Sequence, residues 1–221
     1  DFNHLLINKC PPPMLSHMCD QLLGRWSRPG PGLCVLDSWK DDPRCRPLLE
    51  GKLPVGCVLH PDLSFDAKRV IFSFCDHTVE GLEERDSEPE FLLSAASAFL
   101  SAQLKQGGVT LGQRAAVARG VDHVRKAGRR RFFIYEAAMD GSSVRQVTGT
   151  KSDPMAGWNG RQTALVEDLA PCYLPGGGFV FVSTRCESFG RCHSGRYAPC
   201  LVLYRADADG SNIHRISPGE T

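Results

Sequence analysis

The stretch His60-Pro-Asp-Leu-Ser-Phe-Asp-Ala-Lys-Arg-Val-Ile-Phe-Ser-Phe74 reads as strand, tight turn, strand. Asp66-Ala67 occupies the turn, and Val70, Phe72 and Phe74 recur with the period of two that a pleated strand imposes. The design returns in Ala170-Pro-Cys-Tyr-Leu-Pro-Gly-Gly-Gly-Phe-Val-Phe-Val-Ser-Thr184, where Pro175-Gly176 turns and Phe179, Phe181 and Ser183 alternate. Both segments are expected to be hairpins.

A second element follows each hairpin: Phe133-Ile-Tyr-Glu-Ala-Ala-Met-Asp-Gly-Ser-Ser-Val-Arg-Gln-Val-Thr148 and Leu203-Tyr-Arg-Ala-Asp-Ala-Asp-Gly-Ser-Asn-Ile-His-Arg-Ile-Ser217. Asp140-Gly141 and Asp209-Gly210 carry the turn chemistry of primed hairpins. A four-stranded unit seen twice is the sequence signature of propeller blades. Leu5 to Lys9 and Gly32 to Asp37 read as two more strands, the end of a preceding blade, joined by a Pro-rich loop containing His17-Met18-Cys19-Asp20. Two blades and part of a third fall short of the roughly four to eight that close a ring. The remaining blades, or a protein partner, are therefore expected to cover the open edges.

Residues 79–131 break the pattern. From Glu88 to Gln106, Phe91, Leu92, Ala95, Ala96, Phe99, Leu100 and Leu104 fall at helical spacing. Gly107-Gly108 ends that helix and Thr110 caps a second one running to about Lys126. The expected organisation is thus mainly β: a partial propeller with blade strands in 1–78 and 132–221 and an inserted helical hairpin in 79–131. The basic run Arg125, Lys126, Arg129, Arg130 and Arg131 suits a helix C-terminus, so no nucleic-acid partner is assigned to it.

Lys and Arg total 26 against 25 Asp and Glu, which removes any global field toward nucleic acid or an anionic membrane. The chain has no apolar run near the roughly 18–20 residues of a membrane span. Its ten cysteines are many for a reduced cytosolic enzyme, and they favour an exported or periplasmic setting. Cys34, Cys57 and Cys75 sit in apolar runs and read as buried free thiols.

The richest chemistry lies in Ser183-Thr-Arg-Cys-Glu-Ser-Phe-Gly-Arg-Cys-His-Ser-Gly-Arg-Tyr-Ala-Pro-Cys200. Cys186, Cys192, His193, Tyr197 and Cys200 can ligate a metal, and Cys192 can also bond to a haem vinyl. A disulfide among Cys186, Cys192 and Cys200 and a zinc-bound loop remain open beside those uses.

The repeat itself resembles the WD40-like (PD40) repeats of TolB-type propellers over about 57–78 and 132–217. With the Arg191-Cys192-His193 segment it also resembles the hydrazine synthase α-subunit and its planctomycete relatives, over most of 5–78 and 132–217. That resemblance implies a c-type haem tethered by Cys192 and ligated by Tyr197, with His193 on a nearby zinc. Phe189 stands where Cys-x-x-Cys-His would place a second haem cysteine, so one thioether or none is expected. Two readings follow: a ligand- or protein-binding module of an exported redox-type protein, or a haem c/zinc catalytic subunit.

Asp207, Asp209 and Asn212 alternate as cation ligands do, but Gly210 falls too early for an EF-hand and a hairpin turn is expected. Pro175-Gly176-Gly177-Gly178 lacks the Lys-Ser/Thr of a phosphate loop. Standard hydrolase, zinc-peptidase and dinucleotide motifs are missing, which leaves the catalytic residues unassigned.

Overall fold

The computed structural model describes residues 4–13, 24–37, 42–79, 130–153, 166–186, 189–191 and 197–218. Over these the protein is mainly β, with three antiparallel sheets, a small two-stranded ribbon, and one 3-10 turn at Gly24–Trp26. The first sheet holds β1 (His4–Lys9), β2 (Gly32–Asp37) and β3 (Arg44–Pro47). A second is the meander of β4 (Gly56–Leu63), β5 (Arg69–Asp76), β6 (Phe132–Ala138) and β7 (Val144–Gln146).

The third repeats that meander with β8 (Asp168–Tyr173), β9 (Phe179–Ser183), β12 (Val202–Ala206) and β13 (His214–Arg215). Its second and third strands are separated by a ribbon of β10 (Phe189–Arg191) and β11 (Tyr197–Pro199). The expected helical hairpin of 79–131 falls almost wholly on residues outside those described, as does the loop His17 to Asp20.

The two largest core clusters among the described residues sit between the sheets. Leu33, Val35 and Leu48 from the first meet Val58, Val70, Phe72 and Phe74 of the second. On the other face of the second sheet, Ile71, Ile134 and Val147 meet Phe179, Phe181, Val202 and Tyr204. Strand β5 is therefore buried on both faces, and Ile71 and Cys75 are as hidden as Phe72. A strand covered on both sides has no polar face to display, so its sequence is a nearly continuous apolar run.

The repeat extends to backbone irregularities. Strand β4 carries a bulge between Leu59 and Asp62, and β8 carries one between Leu169 and Cys172. Each bulge has a residue with positive φ just before a proline, His60 at 51° and Ala170 at 49°. Non-glycine residues rarely adopt this region. Its recurrence at matching positions marks it as a built feature of the unit.

The His60 ring is half-buried, its Nδ1 has no hydrogen-bond partner, and burial holds its pKa below the ordinary 6.5. The unfolded chain therefore binds the proton first, and stability present above pH 6.5 is lost as pH falls toward the folded-state value. Asn tolerates positive φ and does not titrate. His60→Asn is expected to flatten the fall in urea midpoint between pH 7 and 5.5; an unchanged slope refutes this assignment.

The Asp-Gly turns form, with one difference from the primed geometry expected of them. Within each Asp-Gly pair only the glycine has positive φ, Gly141 at 72° and Gly210 at 88°. Gly141 N–H donates to Ala138 O and Gly210 N–H to Asp207 O, each at 2.9 Å. These are longer loops ending in a left-handed glycine, a geometry that also suits the strand twist.

Both glycines lie where one sheet meets the sheet before it. A Cβ on Gly141 would meet the carbonyl of Leu48, and one on Gly210 the carbonyl of Val147. Leu48 and Val147 follow the last strands of their sheets and hydrogen-bond back to Leu33 and Ile134 at 2.9 and 2.7 Å. Ile216 makes the corresponding bond to Leu203 at 3.0 Å. The step from the first sheet to the second is thus the step from the second to the third.

Candidate functional site

Of the five residues marked by the sequence, the structure brings two together. The Cys186 thiol donates to the Cys200 carbonyl at 3.4 Å, and both half-buried side chains pack against the second core at the root of the ribbon. Tyr197 opens β11, its backbone paired with Arg191. Cys192 and His193 lie outside the described residues. Among the described residues, no group of three His, Cys, Asp or Glu side chains is arranged to hold a metal.

Beside that root lies an ion cluster that sequence reading missed. Arg185 precedes Cys186, and its side chain is 2% exposed. Its Nη2 reaches Asp168 Oδ2 at 2.6 Å and its Nε reaches Asp168 Oδ1 at 3.0 Å, while Nη1 donates to Asp153 Oδ1 at 2.8 Å. Ser183 Oγ donates to Asp168 Oδ1 at 2.6 Å, and Gly149 N–H donates to Asp153 Oδ2 at 3.1 Å. Burial alone would push the guanidinium toward neutrality. The hydrogen bonds it donates to Asp153 and the charge of Asp168 outweigh it and raise the pKa, so Arg185 stays ionised.

Arg185 and Asp153 line a cleft of about 660 Å³ with a mixed polar and apolar lining. Gln146, Thr150, Asp209 and Asn212 contribute hydrogen-bonding groups, and Tyr204 contributes a ring. Asp209 is held by Ser211, whose N–H donates to it at 2.9 Å and whose bonding lowers the pKa of the carboxyl. Asn212 Nδ2 donates to Asp207 Oδ2 at 2.6 Å, so the Asp207-to-Asn212 loop has the internal bonding of a hairpin turn.

No protein-family model matches this chain, and no curated protein matches it.

Two further polar clusters serve as struts. Glu136 accepts from Arg69, from Arg145 at 2.7 Å, and from the Tyr173 hydroxyl at 2.8 Å. It thereby ties β5, β6 and β7 to β8. Ser27 Oγ donates to the Gly24 carbonyl at 2.6 Å and lies 2.8 Å from His77 Nε2. With its proton committed to Gly24, Ser27 accepts from His77, the reverse of what a nucleophile-and-base pair needs.

Thiol environments also separate. Cys45 is exposed, and a hydrogen bond from Lys9 lowers its pKa. Cys75 is fully buried, and burial raises its pKa. Of these two thiols, Cys45 therefore has the greater thiolate character.

Proposed function

We propose that this chain is a segment of a β-propeller with TolB-type, WD40-like blades, and that it is a ligand-binding module of an exported redox-type protein. The repeated step between sheets supports the propeller: matching bulges, matching turn glycines, and matching carbonyls beneath them. Ile216 occupies the position of Leu48 and Val147, yet it is 46% exposed where they are 5% and 4%. A further blade seated there would cover it in the same way.

The single observation that carries the binding role is the Arg185 cluster beneath an open cleft rimmed by hydrogen-bonding side chains. Three buried charges cost desolvation that a packed apolar core would avoid. They make a rigid polar floor for the groups at the rim. Because Arg185 already faces two carboxylates, the cleft offers no net positive charge to an anion. A neutral or cationic polar organic ligand fits it.

Ligand-observed NMR against neutral polyols, amines and carboxylates tests this. Binding of the first two classes is expected, weakened by roughly tenfold or more, at least about 1.4 kcal/mol, when Ser152→Phe narrows the rim. Preferential carboxylate binding, or indifference to Ser152→Phe, overturns it.

A second reading keeps the hydrazine-synthase-type site. Its support is the ribbon: with Arg191 opposite Tyr197, Cys192 and Tyr197 bound a short connection that also carries His193. The described residues add Cys186 and Cys200 at the other end and no third ligand beside them. Expression with cytochrome c maturation, followed by a pyridine haemochrome spectrum and metal analysis, is the test. Covalent haem lost in Cys192→Ala supports this reading, and a colourless, metal-free protein ends it.

A further inference from the structure

Where the first sheet meets the second, the sulfurs of Cys10 and Cys57 lie 3.5 Å apart. Cys10 follows β1 and is exposed, whereas Cys57 lies in β4 and is 2% exposed. The two strands and the segment before β2 are already tied by hydrogen bonds. Asn8 Nδ2 donates to Val58 O at 2.8 Å, and Gly30 N–H donates to Gly56 O at 3.1 Å.

We propose that Cys10 and Cys57 form a reversible disulfide that fastens β1 to β4, with a small disulfide of the oxidised-glutathione class as the oxidant. The exposed Cys10 thiolate attacks one sulfur of that disulfide and expels the first small thiolate. The Cys57 sulfur, giving up its proton to the expelled thiolate, attacks Cys10 sulfur in the mixed disulfide and expels the second. Two protein thiols lose two electrons, and one small disulfide becomes two thiols.

The division of labour follows from burial. Cys57 is shielded from solvent, and burial raises its pKa, so it is inert to outside oxidants. It needs a disulfide delivered beside it, and Cys10 is the thiol positioned to receive one. Cys75 is the rival partner, directly opposite Cys57 across β4 and β5. Its thiol is turned toward Gly24 O at 3.8 Å, and no oxidant reaches it.

The corresponding place between the second and third sheets is built differently. There Cys75 sits near Glu167, whose carboxylate accepts from Gly24 and Phe132 N–H at 2.8 and 3.1 Å. The first interface has a second thiol where the next has a carboxylate. It is thus the interface that oxidation can lock.

The test uses Cys45→Ser protein, which removes the Lys9-activated competitor. After exposure to reduced or oxidised glutathione it is alkylated, digested and analysed by mass spectrometry. The expected result is a Cys10–Cys57 linked peptide and two fewer alkylated cysteines in the oxidised sample, and a higher thermal midpoint for the oxidised protein than for the reduced form. Cys10→Ser, a change at an exposed position, is expected to abolish both the link and the shift. A Cys57–Cys75 peptide, a stable glutathione adduct on Cys10 alone, or full alkylation of both residues after oxidation would each overturn the proposal.

Discussion

Arg185→Met is expected to lower the unfolding free energy by about 3–5 kcal/mol, the range for stripping one partner from a buried ion cluster. Asp168 is fully buried and Asp153 is 5% exposed, so neither carboxylate can turn to water when the guanidinium goes. The loss combines buried carboxylates deprived of their guanidinium with the hydrogen bonds that leave with it. Arg69→Met is the control. Arg69 also pairs with a carboxylate, at 3.1 Å, but its side chain is 49% exposed, and pairs of that kind contribute about 0–1 kcal/mol. Urea midpoints of the two variants measure the difference. A fall of less than about 1 kcal/mol for Arg185→Met would show that the cluster is not the rigid floor argued for it.

Gly210→Ala is expected to cost about 2–4 kcal/mol, from backbone strain and steric overlap together. The residue has φ of 88°, and its added methyl would run into the Val147 carbonyl. The obstacle is backbone and cannot swing aside as a side-chain end can. Gly176 is the comparison, because a Cβ there meets nothing within 4 Å and its φ is not positive. Gly176→Ala is expected to change stability by less than about 0.5 kcal/mol. Equal effects at the two glycines would remove the close approach of turn to carbonyl as the fastening between sheets.

The strands that decide the fold were legible because their period and turns agree. Val70, Phe72 and Phe74 alternate, Asp-Gly turns recur, and the paired hairpins appear where those signals lie. Strand β3 was not legible: Arg44-Cys45-Arg46-Pro47 is exposed throughout and belongs to the sheet by pairing with β2 alone. Nor was the full double burial of β5: Cys75 reads as a buried thiol from its apolar run and is one, but Ile71 becomes core only when the third sheet covers it.

The site was legible in chemistry and not in place. Cys186 and Cys200 stood out by residue type, and they do meet. Arg185, Asp153 and Asp168 carry no spacing signal, because three separated segments of chain converge on one another only in three dimensions. Nothing short of the fold reveals that a lone arginine and two lone aspartates make one object.

The way one sheet rests on its predecessor has a consequence for self-association. The contact is head to tail: a turn glycine on one face meets a carbonyl on the opposite face of its neighbour. Unlike faces of this kind cannot satisfy a two-fold axis, on which each copy must offer the same patch to the other. A unit that covered Ile216 in the way the second and third sheets cover Leu48 and Val147 would therefore have to arrive in the same sense, and a copy related by a two-fold axis would not reproduce that contact.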